Sequence, residues 1–292
     1  MGNVEAVRKM QRYIESHYLE EISTADLARA SDYSSWYAYR LFERHTSKSF
    51  GEYLRLYRLS RAAIELRDTD IRIVELSLKC GYESPEGFQR AFRKTFGINP
   101  ADYATSPIPI PLFIPYLAEE TDFRKETEML KPVQNVFVSL VHKPKRKAII
   151  KRGLKGHDDY WSYSMEVGCD LWGILRSMKC LNDEPVCLYL PKNLVKEGTS
   201  AYVQGVEEPL DFTGPIPDGF ETIELPECDY LIFQGDPFKE EDYKQAILSL
   251  LAAIEKYDPK ILGYRFDSLN PRIQLEPIGA RGYIEFLPVK MI

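Results

Sequence analysis

Two arginines, Arg40 and Arg90, stand 50 residues apart in two related stretches of the sequence. A guanidinium can donate two hydrogen bonds to the O6 and N7 atoms of guanine, and the amide of Gln89 can pair with adenine. Residues 88–97 hold three cations and no carboxylate, and such cations neutralise backbone phosphates. These residue types could therefore read base edges while neighbouring charges hold a nucleic-acid backbone.

The elements that would position these arginines form a repeat. Phe42 and Phe92 are also 50 residues apart, and Tyr33 and Tyr82 are 49 apart. Each copy has a short helical pattern, a tight turn and a second helical pattern, which predicts a tandem helix-turn-helix. Asp32 stands in the first turn where Gly81 stands in the second, and both residue types tolerate left-handed backbone.

Helical periodicity runs through most of this half. An apolar face repeats over residues 4–18, Ser23 and Asp26 resemble a capping box, and a long helix is predicted over residues 51–67. Seventeen residues span about 25 Å, which could hold two recognition helices near one DNA turn, ~34 Å, apart. We therefore expect a monomer to read an asymmetric site.

Charge favours the same function. Residues 40–61 contain six Lys or Arg and only two Glu, a basic stretch in a half of nearly balanced charge. Any one of these arginines is more simply a solvated surface charge, but the doubled motif at matched spacing favours DNA binding. The apolar residues between them are expected to form the core, namely Leu41, Phe42, Leu54, Phe92 and Phe96.

Residues 5–104 resemble the DNA-binding domain of the AraC/XylS family of bacterial transcription activators. The stretches that carry the resemblance are DLARASDYSSWYAYRLFERHTSKSFGEYLRLYRLSRAA and ELSLKCGYESPEGFQRAFRKTFGINPADY. The resemblance implies that base-facing positions are held by Trp36, Tyr37, Tyr39 and Arg40 in the first recognition helix and by Glu86, Gln89 and Arg90 in the second. Arg44, Arg93 and Lys94 complete the expected DNA-binding set. Pro85, Glu86, Gly87 and Ala104 depart from the family pattern.

Metal and cofactor sites are not expected. The five cysteines form no C-x-x-C pair, and the four histidines lie in unrelated contexts. No run approaches the ~20 apolar residues of a membrane helix, and residues 1–16 have no apolar signal region. The expectation is a cytoplasmic protein with reduced thiols that does not contact a membrane.

A Pro-rich stretch, SPIPIPLFIPY at residues 106–116, divides the chain. Its prolines exclude a helix and favour extended backbone. We predict a DNA-binding domain at residues 1–106, a linker at 107–129 and a second domain at 130–292. The halves differ in charge, with a net +1 over residues 1–106 and −7 over residues 107–292, so different partners are expected.

The second half alternates strands and helices. Strand patterns occur in KRKAIIKRG, PVCLYL, TSAYVQGVE, TIELP, CDYLIFQG, RIQLEP and GYIEFLPV, and helical patterns in DDYWSYSMEVGCDLWGILRSM and EEDYKQAILSLLAAIEKY. In the first helical region, Trp161, Met165, Gly168, Trp172 and Leu175 would share one face. The predicted fold class is multidomain: an all-α tandem helix-turn-helix followed by an α+β domain of two β-α-β-β units around a groove.

Residues 130–290 resemble GyrI-like small-molecule-binding domains, and the combination resembles Rob-like activators. The resemblance implies a cleft for bulky, often cationic aromatic compounds, with a buried carboxylate that maps to Glu285. Cation–π contacts with the surrounding rings would each add ~0.5–2 kcal/mol. The expected effector-binding residues are Tyr160, Trp161, Tyr163, Trp172, Tyr230 and Glu285. Two alternatives stay open: the rings are ordinary hydrophobic core, and Glu285 simply faces solvent.

The function predicted is a sequence-specific transcription regulator, an activator that senses a small compound. Its expected partners are promoter double-stranded DNA, RNA polymerase and the effector, and it is not expected to be an enzyme. Two alternatives stay open for the second half: a hydrolase of reactive small molecules, using Glu285 with Tyr163 or Tyr230, or a gyrase-interacting module.

Overall fold

The computed structural model describes residues 2–116, 135–156, 158–168, 170–239 and 242–292. The chain divides into two compact units, Met1–Glu126 and Thr127–Ile292. In the segments that are described, no helix is long and apolar enough to cross a membrane. The predicted linker over 107–129 lies outside the described residues from position 117 onward.

The first unit is helical. Its helices are α1 (Asn3–His17), α2 (Thr24–Ser31), α3 (Ser35–Thr46), α4 (Phe50–Asp68), α5 (Ile73–Lys79), α6 (Pro85–Phe96) and α7 (Pro100–Thr105). The first six are those predicted from the sequence, with α4 one residue longer at each end. Helix α7 is an addition to that prediction, and it starts with a proline at its first position, where the missing N–H costs nothing.

Caps and turns place these helices. Ser23 accepts a hydrogen bond from the Asp26 N–H while the Asp26 carboxylate accepts one from the Ser23 N–H, so the predicted capping box is confirmed. Asp32 follows α2 with φ 58°, and Gly81 follows α5 with φ 78°. Both turns therefore use the left-handed backbone that their residue types were expected to allow.

Helix α4 is shared by two cores. Its first half contributes Phe50, Tyr53 and Leu54 to a cluster with α1, α2 and α3. Its second half contributes Leu59 and Leu66 to a cluster with α5, α6 and α7. The predicted core residues are confirmed, since Leu41, Phe42, Leu54, Phe92 and Phe96 are all buried. Each helix-turn-helix thus has its own apolar support on one continuous helix.

The Pro-rich segment is part of this unit up to at least Tyr116. Ile110 and Leu112 are buried in the second core, while Phe113 packs against the first core with its ring 4.9 Å from that of Tyr53. The Phe113 N–H donates to Ser60 Oγ at 2.8 Å. Residues 107–116, predicted as the start of the linker, instead pack on the first unit as a strap, because Ile110, Leu112 and Phe113 lie against its two cores.

The second unit is built on antiparallel strands. They are β1 (Val136–Lys143), β2 (Arg146–Lys151), β3 (Val186–Tyr189), β4 (Tyr202–Glu208), β5 (Glu221–Leu225), β6 (Cys228–Gly235), β7 (Tyr264–Phe266), β8 (Arg272–Gln274) and β9 (Ile284–Met291). Its helices are α8 (Tyr160–Val167), α9 (Asp170–Ser177) and α10 (Tyr243–Glu255). Strands β1 and β7 are additions to the predicted strands.

The strand order is symmetric. The path is β1-β6-β9-β8-β3-β4-β2-β5, with β7 paired to β9. One half therefore runs β2-α8-α9-β3-β4 and the other β6-α10-β8-β9, and the halves join where β3 pairs with β8. Strand β1 pairs with β6 at one edge of the sheet, and β5 pairs with β2 at the other edge. Each edge strand therefore joins the half that is not its neighbour in sequence.

One face of the sheet carries the helices. Tyr163 of α8 meets Tyr202 of β4, and α10 packs with Leu231 and Phe233 of β6. Cross-strand register puts Cys187, Tyr189, Arg272, Gln274 and Glu285 on this same face, in the strands between the helices. We call this set of residues the groove floor, after the groove that the sequence predicts between the two halves.

The helical region around residue 168 differs from the prediction. Helix α8 ends at Val167, and Gly168 follows with φ 88°, a backbone that no residue of a continuing α-helix adopts. Met165 is 88% exposed, whereas Trp172 and Leu175 are buried. The prediction that Trp161, Met165, Gly168, Trp172 and Leu175 share one helical face is wrong, because α8 ends before Gly168, and Trp172 and Leu175 lie on a separate helix, α9.

Candidate nucleic-acid interface

Helix α3 presents a polar and aromatic outer face. Ser34 caps it by accepting from the Tyr37 N–H, and Ala38, Leu41 and Phe42 bury its inner face. The opposite side carries the expected base-facing residues, and all of them are exposed: Trp36, Tyr37, Tyr39 and Arg40. Trp36 is 69% exposed, an unusual position for a tryptophan in a folded domain.

Arg40 and Trp36 form a pair on this face. The Arg40 guanidinium carbon lies 5.3 Å from the centre of the Trp36 ring, within the range of a cation–π contact. They are four residues apart, so they are neighbours on successive helical turns. The contact restricts the rotamers of a long, exposed side chain.

Helix α6 repeats this design. Ser84 caps it through the Gly87 N–H at 3.2 Å, and Pro85 occupies its first position. Phe88, Phe92 and Phe96 are buried at regular helical spacing, and adjacent rings lie 5.7 and 4.8 Å apart. The residues predicted for DNA binding are all exposed on the other side: Glu86, Gln89, Arg90, Arg93 and Lys94. Both helices therefore expose the side chains that the sequence assigned to them.

Part of the basic stretch over residues 40–61 has another task. Arg58 donates from Nε to the carbonyl of Tyr18 and from Nη2 to that of Glu20, both at 2.6 Å. Burial lowers the pKa of this guanidinium. Arg55 donates to Thr95 Oγ1 at 3.3 Å, so two of the six cations counted as a basic face are engaged in joining helices.

The exposed cations of α3, α4 and α6 suit contacts with DNA. Arg40, Arg44 and Arg61 are exposed in the stretch over residues 40–61, and Arg90, Arg93 and Lys94 are exposed on α6. Exposed guanidinium and ammonium groups release counterions when they neutralise phosphates. Only Glu86 brings a carboxylate to the outer face of α6, and cytosine N4 is the base-edge donor that suits it.

The effector-binding residues predicted in the second unit separate into three environments. Tyr160 and Trp161 are exposed at the start of α8. Tyr163 is fully buried, and its hydroxyl donates to the Lys151 carbonyl at 2.7 Å. Trp172 is buried on α9. Only the first two are accessible to a ligand without rearrangement.

Aromatic contacts connect α8 to the groove floor. The Tyr202 ring centre lies 6.2 Å from that of Tyr160, 5.2 Å from that of Tyr163 and 5.1 Å from that of Tyr189. Arg272 lies over Tyr189, with its guanidinium carbon 5.1 Å from the ring centre. Since Arg272 also contacts Glu285, a continuous line of side chains leads from α8 to that carboxylate.

Glu285 is fully buried, so the alternative that it faces solvent is wrong. Its carboxylate accepts from Arg272 Nε at 2.6 Å and Nη2 at 2.8 Å, from Gln274 Nε2 at 2.7 Å and from the Tyr283 hydroxyl at 2.5 Å. Burial, followed by the charge of Glu285, raises the pKa of the Tyr283 hydroxyl well above its ordinary value.

Tyr230 lies on the other face of the sheet, so the expectation that it flanks Glu285 is wrong. In β6, Phe233 is the residue opposite Glu285, and side chains three apart in a strand point to opposite faces. The Tyr230 hydroxyl instead accepts from Arg146 Nη2 at 3.3 Å. Arg146 is buried and donates from Nε to Glu207 at 2.5 Å, which makes a separate polar cluster.

Sequence reasoning missed several residues of the groove. Arg272, Gln274 and Tyr283 hold Glu285, and Tyr189 and Tyr202 supply rings at the floor. Alternation along β8 could have placed Arg272 and Gln274 on one face of a sheet. Their meeting with Glu285 depends on the pairing of β8 with β9, which alternation does not specify. In the described segments, no group of three or more His, Cys, Asp or Glu side chains could hold a metal ion.

A family model described as a helix-turn-helix domain matches residues 27–106. The regulatory protein SoxS of Salmonella typhimurium is 35% identical over 103 residues, which are 35% of this chain and 96% of that protein. The HTH-type transcriptional regulator YbfP of Bacillus subtilis is 39% identical over 100 residues, 34% of each chain. The Right origin-binding protein of Escherichia coli is 34% identical over 107 residues, 37% of each chain.

The matched region coincides with the unit that carries α3 and α6. This chain spans about a third of the length of YbfP and of the Right origin-binding protein, but it covers nearly all of SoxS. Two exposed recognition helices on separate cores and near-complete coverage of a regulator lead to one conclusion. The chain belongs to the AraC family of helix-turn-helix, DNA-binding transcription regulators.

Proposed function

We propose that this protein is a transcription activator that reads a promoter site as a monomer and senses a small aromatic cation through its second unit. The observation that carries the DNA-reading part is the doubled recognition helix. Helices α3 and α6 each expose their polar face, and each is supported by a different half of α4. One chain thereby contains two recognition helices.

The two recognition helices present different side chains to the bases. In α3, Arg40 bonds a guanine edge while Trp36, Tyr37 and Tyr39 make apolar contacts to thymine methyl groups or sugars. In α6, Arg90 and Gln89 read guanine and adenine, and Glu86 accepts from cytosine N4. Arg44, Arg93 and Lys94 contact phosphates, which sets affinity and register but carries no base information.

The length of α4 sets the distance between the two recognition helices. Its 19 residues span about 28 Å at ~1.5 Å per residue, close to the ~34 Å between major-groove segments on one side of the duplex. A monomer then binds an asymmetric site, with no need for the palindrome that a symmetric dimer reads. The activator role is completed by contact with RNA polymerase at the promoter.

The second unit supplies the sensor in this proposal. Glu285 is a buried carboxylate beside Tyr283 and close to the Arg272–Tyr189 stack, and the groove containing it is flanked by α8 and α10. A delocalised cation is the ligand class that a carboxylate and aromatic faces bind together. An effector switches the regulator only if it binds the active state more tightly than the inactive state. The alternatives, hydrolysis and gyrase binding, gain no support from the names of the relatives.

The DNA-reading proposal is tested by site selection from a random duplex library, followed by anisotropy titrations of the full chain. Arg40→Ala and Arg90→Ala should each relax base preference at one position and cost ~1–3 kcal/mol on the selected site. Lys94→Ala should weaken binding to all sequences alike and reduce the salt slope by about one. Arg265→Ala, an exposed arginine in the second unit, is the control. Unchanged preference in both arginine variants would overturn the assignment.

The activator part is tested by transcription in vitro with purified RNA polymerase on the selected promoter. The full chain should raise transcript yield, and Arg40→Ala should need about 5- to 150-fold more protein for the same increase, as ~1–3 kcal/mol of lost affinity implies. Repression of a promoter that the protein occupies would contradict the activator assignment while leaving the DNA-reading proposal intact.

A further inference from the structure

The Glu285 carboxylate is already held by three neighbouring side chains. It accepts two hydrogen bonds from Arg272 and one each from Gln274 and Tyr283, three of them at Oε1 and one at Oε2. The residue is also fully shielded from solvent. A cationic ligand that approaches the groove therefore finds its counter-charge already neutralised.

Arg272 is the partner that can leave. Its side chain is 33% exposed, whereas that of Glu285 is completely buried. Arg272 lines a surface cavity of about 780 Å³ together with Tyr189, Phe266 and Leu287, and Glu285 does not line it. The guanidinium thus lies where the open cavity meets the buried carboxylate.

The contacts of Arg272 are those of the proposed effector. A guanidinium is a planar, delocalised cation. Here it is paired with a carboxylate through two parallel hydrogen bonds and lies 5.1 Å from the Tyr189 ring centre. We infer that Arg272 is a built-in occupant of the cation site and that an aromatic cation binds by displacing its guanidinium from Glu285. This inference rests on the proposed sensor function.

Displacement would make the site selective. Removing one partner of a buried ion pair leaves an uncompensated charge, which is strongly unfavourable. Only a cation that restores the pairing and also covers Tyr189, Phe266 and Leu287 offsets that cost. Small hydrated cations gain no apolar or cation–π contact and cannot compete with the tethered guanidinium. Arg272 would therefore lower the affinity for every cation but exclude the small ones most.

The test uses the full chain and two probes of matched shape and opposite charge, tetraphenylphosphonium and tetraphenylborate, with binding measured by calorimetry. Arg272→Met removes the internal cation and should tighten tetraphenylphosphonium binding by at least about tenfold, or ~1.4 kcal/mol. Arg272→Met combined with Glu285→Gln should show no such gain. Arg281→Met is the matched control, because Arg281 also pairs with a carboxylate, that of Glu184, is 29% exposed and does not line the cavity.

A second readout needs no substitution. The Arg272 Nε–H group, held by Glu285, can be followed by nitrogen–proton correlation spectroscopy of the wild-type chain. Titration with tetraphenylphosphonium should shift or remove this signal and leave that of Arg281 in place. The same result is expected whether or not the Arg272→Met variant folds.

The outcomes separate the inference from the sensor proposal. If tetraphenylphosphonium binding is lost in Glu285→Gln but not tightened in Arg272→Met, Arg272 is no occupant and the sensor proposal survives. An Arg272 signal that stays unmoved at saturation likewise overturns the inference and spares the sensor proposal. If tetraphenylborate binds more tightly than tetraphenylphosphonium and Arg272→Met abolishes it, the cavity takes anions and both are overturned.

Discussion

Arg58 Nη1 lies 3.0 Å from the point where a β-carbon on Gly81 would stand. The same guanidinium donates to the carbonyls of Tyr18 and Glu20, in the connection between α1 and α2. One arginine of α4 therefore lies between the α1–α2 connection and the turn of the second helix-turn-helix. The glycine of that turn supplies both a positive φ and the space in which the guanidinium lies.

Gly81→Ala should destabilise the first unit more than Gly97→Ala does. Both glycines have φ near 78°, but a β-carbon on Gly97 meets no atom within 4 Å. Gly97→Ala therefore reports backbone strain alone, about 1–2 kcal/mol. Native-state hydrogen exchange of the α4 amides in the full chain measures the difference, because these amides belong to the first unit. Equal losses would show that Arg58 yields to the methyl group without cost.

Arg58→Met should cost about 1.5–3 kcal/mol, because hydrogen bonds from a charged donor to two carbonyls are lost. The control is Arg61→Met on the same helix, since Arg61 is exposed and lies 6.0 Å from the Tyr18 ring centre. Native-state hydrogen exchange of the α4 amides in the full chain measures both effects. At temperatures where Arg58→Met is folded, its salt slope for DNA binding should equal that of the wild type. A reduced salt slope would show that Arg58 contacts phosphates.

Phe113→Ala should destabilise the first unit by about 2 kcal/mol, less than a fully buried phenylalanine would. The ring packs on Tyr53, and the backbone N–H is held by Ser60. Ile108→Ala, an exposed strap residue, should stay within about 0.5 kcal/mol of the wild type. Hydrogen exchange in α4 distinguishes the two. If both substitutions are silent, residues 107–116 are a linker after all.

Glu208 should make the second unit less stable as the pH rises. The residue is buried, its Oε1 has no hydrogen-bond partner, and burial raises the pKa of the carboxyl to about 7. Because the folded pKa is above the unfolded one, the neutral form stabilises the fold at low pH, and this contribution is lost as the pH rises from about 4.5 through 7. The loss is on the order of 2 kcal/mol.

The measurement is the melting temperature of the second unit between pH 5 and pH 8. Glu208→Gln should flatten the decline seen for the wild type and should be the more stable protein at pH 8. Glu227→Gln, an exposed glutamate close in sequence, should leave the pH profile unchanged. A wild-type profile with no decline in this range would rule out a buried, uncompensated carboxyl at Glu208.

Local signals in the sequence predict most of the helices and turns of the first unit. Ser23 with Asp26 marks a helix start, Asp32 and Gly81 mark turns, and the spacing of Phe88, Phe92 and Phe96 marks a buried face. These features depend on residues within one or two helical turns. Charge alone misassigns Arg58 to a phosphate-binding face because the partners of Arg58 lie 38 and 40 residues away, a separation that no local pattern reveals.

The second unit is less predictable for the same reason. Alternation along β9 allows Glu285 to face either the groove or solvent, and only the pairing of β9 with β6 and β8 decides. The sequence analysis expects Tyr230 beside it, although Tyr230 lies an odd number of residues from Phe233, the cross-strand neighbour of Glu285. The proline pattern of residues 106–116 correctly excludes a helix, but it gives no sign that Ile110 and Leu112 are buried.

Strand β8 has only three residues, and it connects the two halves of the sheet: three pairs tie it to β3 and two tie it to β9. Its terminal side chains, Arg272 and Gln274, are both committed to Glu285. The Glu285 carboxylate therefore stabilises the junction between the two halves of the sheet, in addition to balancing the charge of Arg272. A deep mutational scan should find position 285 intolerant on two separable counts, the integrity of the sheet and the ligand recognition proposed above.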